Sequence, residues 1–342
     1  MRLLKLVPDN TNVDFMRWRN LALLLSILIT AAAIALVFTR GLNFGVDFAG
    51  GQSVRVSFVT APPIERLREQ IGALDVGEAT IQETRQNAVQ QAAGGNAGQA
   101  NLSEYLVRLP PPSGGDAAVA TSATRVRAMI ERDYRGNATI RSVDTVSPKV
   151  SGELLRSGAW AIGLAMLGIA IYIWIRFEWQ FGVGALVTLF HDVWMTLGFF
   201  SVTQLEFNLN VVAAILTIVG YSLNDTVVIY DRIRENLRKY RKMEIVPLLN
   251  LSLNETLSRT IVTSTSILLA LGALLVLGPE VIFGLTIAIF IGIFVGTYSS
   301  IYISSPILVW LRVTTDSFMP KDPVSRAERG APRNESYDGA QV

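Results

Sequence analysis

Six long apolar runs decide what this chain can become: Leu21 to Phe38, Gly158 to Ile175, Phe181 to Val202, Val211 to Tyr230, Thr260 to Leu277 and Val281 to about Ser304. A bilayer core of roughly 30 Å is crossed by about 20 apolar helical residues. Within it, only helices and closed barrels pair every backbone N–H and C=O. The runs therefore predict a polytopic α-helical membrane protein with six transmembrane helices. Composition agrees: of 342 residues, 50% are apolar and only 17% charged, too few charges for an ordinary soluble enzyme. Arg17 and Arg19 before the first run imitate a signal peptide, but the apolar stretch exceeds a signal's usual core, so it reads as an uncleaved first span.

Charge and residue counts exclude several functions. Thirty basic against 28 acidic residues leave a net +2, which removes a nucleic-acid binder driven by bulk charge. No cysteine and a single histidine remove disulfides, thiolate metal sites and an imidazole-built zinc site. Lysine and arginine are distributed unevenly. The N-terminal flank, 1–20, holds Arg2, Lys5, Arg17 and Arg19, and the connection 231–259 holds Arg232, Arg234, Arg238, Lys239, Arg241, Lys242 and Arg259. The opposite short turns, Thr203 to Asn208 and Gly278 to Glu280, hold none. By the positive-inside rule both termini are cytoplasmic and residues 39–157 lie on the far side. The tail 312–342, with Pro320, Pro323, Gly330 and Pro332 among charges, reads as disordered.

Residues 39–157 change pattern. Alternation predicts strands at Gln52 to Thr60, Glu78 to Thr84, Glu104 to Leu109 and Thr139 to Thr145. Helices are predicted at Pro63 to Leu74, through Ile64, Leu67 and Ile71, and at Ala117 to Tyr134, through Val126, Met129 and Ile130. The order is that of an extracytoplasmic ferredoxin-like βαββαβ domain between the first and second spans. Gln86 to Ala100 reads as a flexible hairpin loop. Gly41 to Gly51 lacks the lysine and Ser/Thr of a phosphate loop, and its Gly50 and Gly51 suit a tight bend into the sheet.

Ionisable residues at bilayer depth each cost about 2.5–3.5 kcal/mol on insertion scales and so need a reason. Asp192, beside His191, lies 11 residues into the third span, about 16 Å deep. Asp225 lies six residues before Asp231, about 9 Å from the exit of the fourth span, and Arg259 enters the fifth at a similar depth. Tyr221, Ser222 and Asp225 share a side of one helix, and Arg259, Thr263 and Ser266 share a side of another. Two such stripes predict a hydrated seam with Asp225, Arg259 and Asp192 as proton-coupling groups. Burial and a neighbouring guanidinium pull a carboxyl's proton affinity in opposite directions, so the sequence sets a competition and not its outcome. Three plainer readings stand beside this one: a static Asp225–Arg259 pair, an Arg259 that snorkels to lipid, and a His191–Asp192 pair that is only a helix contact. In the sixth span Gly284, Ala288, Gly292, Gly296, Ser300 and Ser304 recur every four residues, the pattern of close helix packing, and Pro306 marks a kink or exit.

Several motifs add a resemblance. They are the GVDFAGG run from Gly45 to Gly51, VSPKVSGEL from Val146 to Leu154, RFEW from Arg176 to Trp179, His191-Asp192-Val193, GYSLNDTVVIYDRIREN from Gly220 to Asn236, and NETLSRT from Asn254 to Thr260. Along most of its length the chain resembles the SecF family of the bacterial protein-export machinery, within the resistance-nodulation-division superfamily. Ser151 stands where that family more commonly has glycine. The resemblance implies a multi-pass protein of the bacterial inner membrane, with SecD as its partner beside the SecYEG channel. YajC and YidC are further implied partners, and the substrate is a preprotein. It implies no enzyme activity and no cofactor beyond a transported ion, a proton or, as in some relatives, sodium. Asp225 then corresponds to the family's membrane-embedded coupling aspartate and Arg259 to its companion. Two rival readings are half of a small-molecule or lipid exporter, whose relatives carry larger external domains and two such halves, and a non-conducting translocon scaffold.

Because the chain has no native cysteine, single cysteines can map its orientation. One introduced at Gln90 should react with an impermeant maleimide in spheroplasts, and one at Lys242 only after permeabilisation. The reverse pattern would invert the topology.

Overall fold

Each apolar run forms a helix, and most of the helices outlast the run that predicts them. The computed structural model describes residues 8, 11–74, 76–77, 79–84, 103–110 and 116–313. A single 3-10 turn, Phe15–Trp18, leads into α1 (Arg19–Thr39), which is followed by the one-turn α2 (Val46–Ala49). The sheet unit comprises β1 (Gly51–Phe58), α3 (Ile64–Gly72), β2 (Thr80–Thr84), β3 (Ser103–Leu109), α4 (Asp116–Asp133) and β4 (Ala138–Val146). The remaining helices are α5 (Pro148–Arg176), α6 (Trp179–Thr203), α7 (Leu209–Lys239), α8 (Ile245–Leu277), α9 (Phe283–Tyr302) and α10 (Ser304–Trp310). Among the described residues six helical segments are long and apolar enough to cross a membrane.

The four strands form one antiparallel sheet in the order β2-β3-β1-β4. Strand periodicity turns Val54, Val56 and Phe58 of β1 and Tyr105, Val107 and Leu109 of β3 to one face, where they pack with Leu67 and Ile71 of α3 and Val126, Met129 and Ile130 of α4. The other face carries Arg55, Glu104 and Arg108, so it is polar by the same alternation. The expected hairpin loop at Gln86 to Ala100 and the expected disordered tail beyond residue 313 lie outside the described residues.

The basic connection expected at 231–259 is mostly helix. α7 runs on to Lys239 and α8 starts at Ile245, which leaves Tyr240 to Glu244 as the turn. Hydropathy misses this because the extensions are amphipathic. Ile233 and Leu237 of α7 meet Leu248, Leu249 and Leu253 of α8 in a buried cluster. On the polar side Arg232 donates to Glu255 at 2.7 Å and Glu235 at 2.6 Å, and Asn236 donates to Ser252 at 3.0 Å. The sixth span is broken: Ile303, at φ −118° and ψ −54°, separates α9 from α10, and Pro306 sits in the first turn of α10, where no intrahelical donor is needed.

α6, α7 and α9 form the buried centre of the bundle, while α1, α5 and α8 keep most of their surface exposed. The small-residue stripe of α9 faces α7. A Cβ added at Gly284 would touch Val211, one at Gly292 would overlap Ile218, and one at Gly296 would lie 3.3 Å from Ser222. Contacts that ascend together on both helices mean that α7 and α9 run parallel. Gly45 lacks room for a side chain because Glu206 occupies the space, and Gly50 holds φ +72° and ψ 174°, a conformation essentially confined to glycine.

Gly50→Ala should therefore destabilise the protein by about 1–3 kcal/mol from backbone strain, with a further cost because its Cβ would lie 3.2 Å from the Pro148 backbone. Gly72→Ala, in α3 with nothing within 4 Å, should be neutral or stabilising by up to about 1 kcal/mol. Thermal unfolding of the purified protein in detergent measures both.

Candidate functional site

Three helices bring polar side chains together in the centre of the bundle. Asp192 of α6 is completely buried. Its Oδ2 accepts from Ser222 Oγ of α7 at 2.5 Å, and its Oδ1 lies 3.0 Å from His191 Nδ1. The third helix, α9, closes over this pair with Gly296, whose added Cβ would stand 3.6 Å from Asp192 Oδ2. Alanine there would already press on Ser222, whose Cβ would lie 3.3 Å away, and a longer side chain would push α9 from the carboxylate. His191 is itself 5% exposed and lines an apolar groove between α1, α6 and α10.

Asp225 follows Ser222 by three residues on α7, so the same helical side holds both. It is 4% exposed, and its Oδ2 is buried without a hydrogen-bond partner. Leaving a buried carboxyl oxygen unpaired is costly, and the cost is higher still for an ionised group inside a membrane. The groups on α8 that act on Asp225 are the Arg259 charge and the Ser264 hydroxyl. Arg259 is exposed and makes no ion pair with Asp225 among the described residues. Its influence crosses a gap.

The stripe expected on α8 faces another way. Thr263 and Ser266 are exposed, and their hydroxyls fold back onto Arg259 O at 2.8 Å and Val262 O at 2.7 Å. The inward stripe is offset from it: Thr256, Thr260 and Ser264 are buried. Ser264 Oγ lies 3.3 Å from Tyr221 Oη and accepts from Thr297 Oγ1 of α9 at 2.8 Å. Helical spacing groups residues by face but does not say which face turns inward, and two hydroxyl stripes on α8 have the same spacing. Ser264 and Thr297 are thus polar members of the centre that sequence reasoning passed over. Gly284, Gly292 and Gly296 line the contact of α9 with α7, and Ala288 of α9 is buried in one cluster with Ile215 and Val219 of α7. Among the described residues no group of three or more His, Cys, Asp or Glu side chains converges.

A second polar cluster lies where the sheet unit meets the bundle. The segment from Asn43 to Phe48 packs against the turn between α6 and α7 and the first residue of α7. Gly45 N donates to Phe207 O at 2.9 Å and Phe207 N to Asn43 O at 2.8 Å. Asp47 Oδ2 accepts from Leu209 N, the first residue of α7, at 2.9 Å. Spacing alone could not have joined residues so far apart in the chain.

Comparison with known proteins gives a consistent result. Residues 126–314 match the family model for the protein export membrane protein SecD/SecF, C-terminal, and residues 35–62 match the SecD/SecF GG motif. The protein translocase subunit SecF of Rickettsia felis is 41% identical over 305 residues, covering 89% of this chain and 94% of that protein. The subunit of the same name from Cereibacter sphaeroides is 39% identical over 338 residues, covering 99% of this chain and 97% of its own. Among solved structures, the crystal structure of a Thermus SecDF, described as a translocon-associated membrane protein, superposes with a TM-score of 0.78 at 34% identity over 90% of this chain. SecDF in its super-membrane-facing form gives 0.62 at 33% identity. This chain spans 40% of the length of either SecDF chain.

Ser222→Ala should leave Asp192 Oδ2 buried without its donor and cost about 1–3 kcal/mol or more. Tyr221→Phe, which removes only a half-buried 3.3 Å contact, should cost no more than about 1 kcal/mol. Thermal denaturation in detergent separates the two.

Proposed function

The chain belongs to the SecD/SecF family of protein-export membrane proteins, and from that premise we propose how its buried carboxyl groups serve preprotein export. It is a multi-pass inner-membrane protein and an accessory subunit of the Sec translocase, with SecD as its partner. In our reading the pair uses the proton motive force to draw preproteins out of the SecYEG channel and release them on the outer side. YajC and YidC are the neighbours expected around that channel. The sheet unit is a ferredoxin-like domain on the outer face, and both termini are cytoplasmic.

The observation that carries this reading is Asp225: a carboxyl in a membrane span, 4% exposed, with one oxygen lacking any donor. Asp192 is already satisfied by Ser222 and His191, so it serves to hold α6 against α7 while Asp225 exchanges the ion. A proton arriving from the outer side neutralises Asp225 and removes its attraction to Arg259. The packing of α7 against α8 then relaxes, and release to the opposite side resets it. One proton crossing 100 mV carries about 2.3 kcal/mol, enough to bias a two-state motion whose gap is of that order.

Asp225→Asn keeps the shape of the side chain but cannot titrate. In inverted vesicles containing the complex with SecD, it should abolish the acceleration of export by the proton gradient while assembly persists. Arg259→Met should impair export with the complex intact. Gradient-dependent export at the wild-type rate from the Asp225→Asn complex would leave only the scaffold reading. Replacing the proton gradient by a sodium gradient tests the coupling ion.

A further inference from the structure

We propose that Asp47, Arg108 and Glu206 form a latch through which a displacement of α7 is delivered directly to the sheet unit. This inference rests on the reading of Asp225 as the ion-binding group. Helix α7 carries Asp225 at its sixteenth residue after Leu209, about 24 Å along the axis. A rigid helix transmits motion along its length, so whatever grips its first turn receives the displacement.

Three linked contacts grip that end. The Asp47 carboxylate, from the one-turn α2, accepts from the N–H of Leu209, one of the first-turn donors that no intrahelical carbonyl satisfies. A carboxylate at that position is also favoured by the helix dipole. Just upstream, Phe44 pairs with Phe207 as an isolated parallel bridge. The third contact comes from the sheet itself. Arg108, on the polar face of β3, donates from Nη1 to Asn43 Oδ1 at 2.8 Å and to Phe44 O at 3.2 Å, while its Nη2 stands 3.3 Å from Glu206 Oε2 in the α6–α7 turn. Asn43 continues the chain of bonds by donating to Gln204 O at 2.7 Å.

The glycines of the segment fit this arrangement. A Cβ at Gly45 would overlap the Glu206 carboxylate, so glycine at 45 is what allows Glu206 to reach Arg108. Gly50 then turns the chain into β1 against Pro148 and Ser151 at the start of α5. The first and second spans anchor the sheet unit covalently, but its polar contacts run to the α6–α7 turn and to the first residue of α7, the helix that bears the ion-binding group.

The test uses the full chain in its complex with SecD in vesicles. Spin labels at Arg68→Cys on the exposed side of α3 and Lys242→Cys in the α7–α8 turn report the distance between the sheet unit and the far end of the bundle as pH is changed. Asp47→Ala and Glu206→Ala should each reduce the pH-dependent distance change and gradient-driven export by about fivefold or more, the lower range of a coupling free energy between sites. Asp47→Asn keeps an acceptor of equal capping strength and should stay within about twofold of wild type. A merely structural loss would instead lower stability without removing the pH response. Assembled Asp47→Ala and Glu206→Ala complexes with a full distance change and full export would overturn the latch. If Asp47→Ala does not assemble, Glu206→Ala decides the matter, because Glu206 lies in a partly exposed turn. Asp225→Asn separates the two ideas. If it leaves the distance change and export intact, the reading of the ion site fails. If it removes both while Asp47→Ala and Glu206→Ala keep them, the latch alone fails.

Discussion

The close parallel packing of α7 against α9 is the constraint on which the rest of the bundle depends. Gly292 makes room for Ile218, and Gly296 makes room for Ser222 and Asp192. Without a hydrophobic driving force between helices in lipid, association rests on van der Waals contact and hydrogen bonds, and small residues let both form. Here the same glycines serve two ends. They bring the helices into contact, and Gly296 lets α9 close over the Asp192 carboxyl group, which an exposed position in lipid would make far more costly.

That packing gives the two aspartates different surroundings. Asp192 is met on both oxygens, by Ser222 and by His191, and the surrounding threonines return their own hydroxyls to the helix backbone. Asp225, one turn along α7, has an oxygen with no donor and a guanidinium that is near but not bonded. A saturated network tends to fix structure, whereas an incompletely satisfied one is sensitive to the arrival of a proton. Ser222, the donor to Asp192, and Asp225 itself both belong to α7, whose first N–H is met by a carboxylate from the segment that leads into the sheet.

The GVDFAGG run shows how a local motif acquires a tertiary meaning. As sequence it reads as a bend, and Gly50 does supply the backbone conformation that a bend requires. Two of its other residues are explained only by distant neighbours, Gly45 by Glu206 and Asp47 by Leu209. The polar stripes of α7 and α8 show the same limit. The sequence correctly shows that Arg259, Thr263 and Ser266 share a side, yet the chain turns Thr260 and Ser264 inward instead.

Six spans, a four-stranded unit between the first two, and rare charges at bilayer depth were legible from the sequence, because lipid and strand geometry impose fixed lengths and periods on any chain. The family motifs were legible too, being contiguous. What only the tertiary structure decided is which face of each helix looks inward, which carboxyl is left without a donor, and which distant residues fasten the sheet to α7. Those depend on rotation and contact between elements far apart in the chain, and periodicity along one helix carries no record of its neighbour's position.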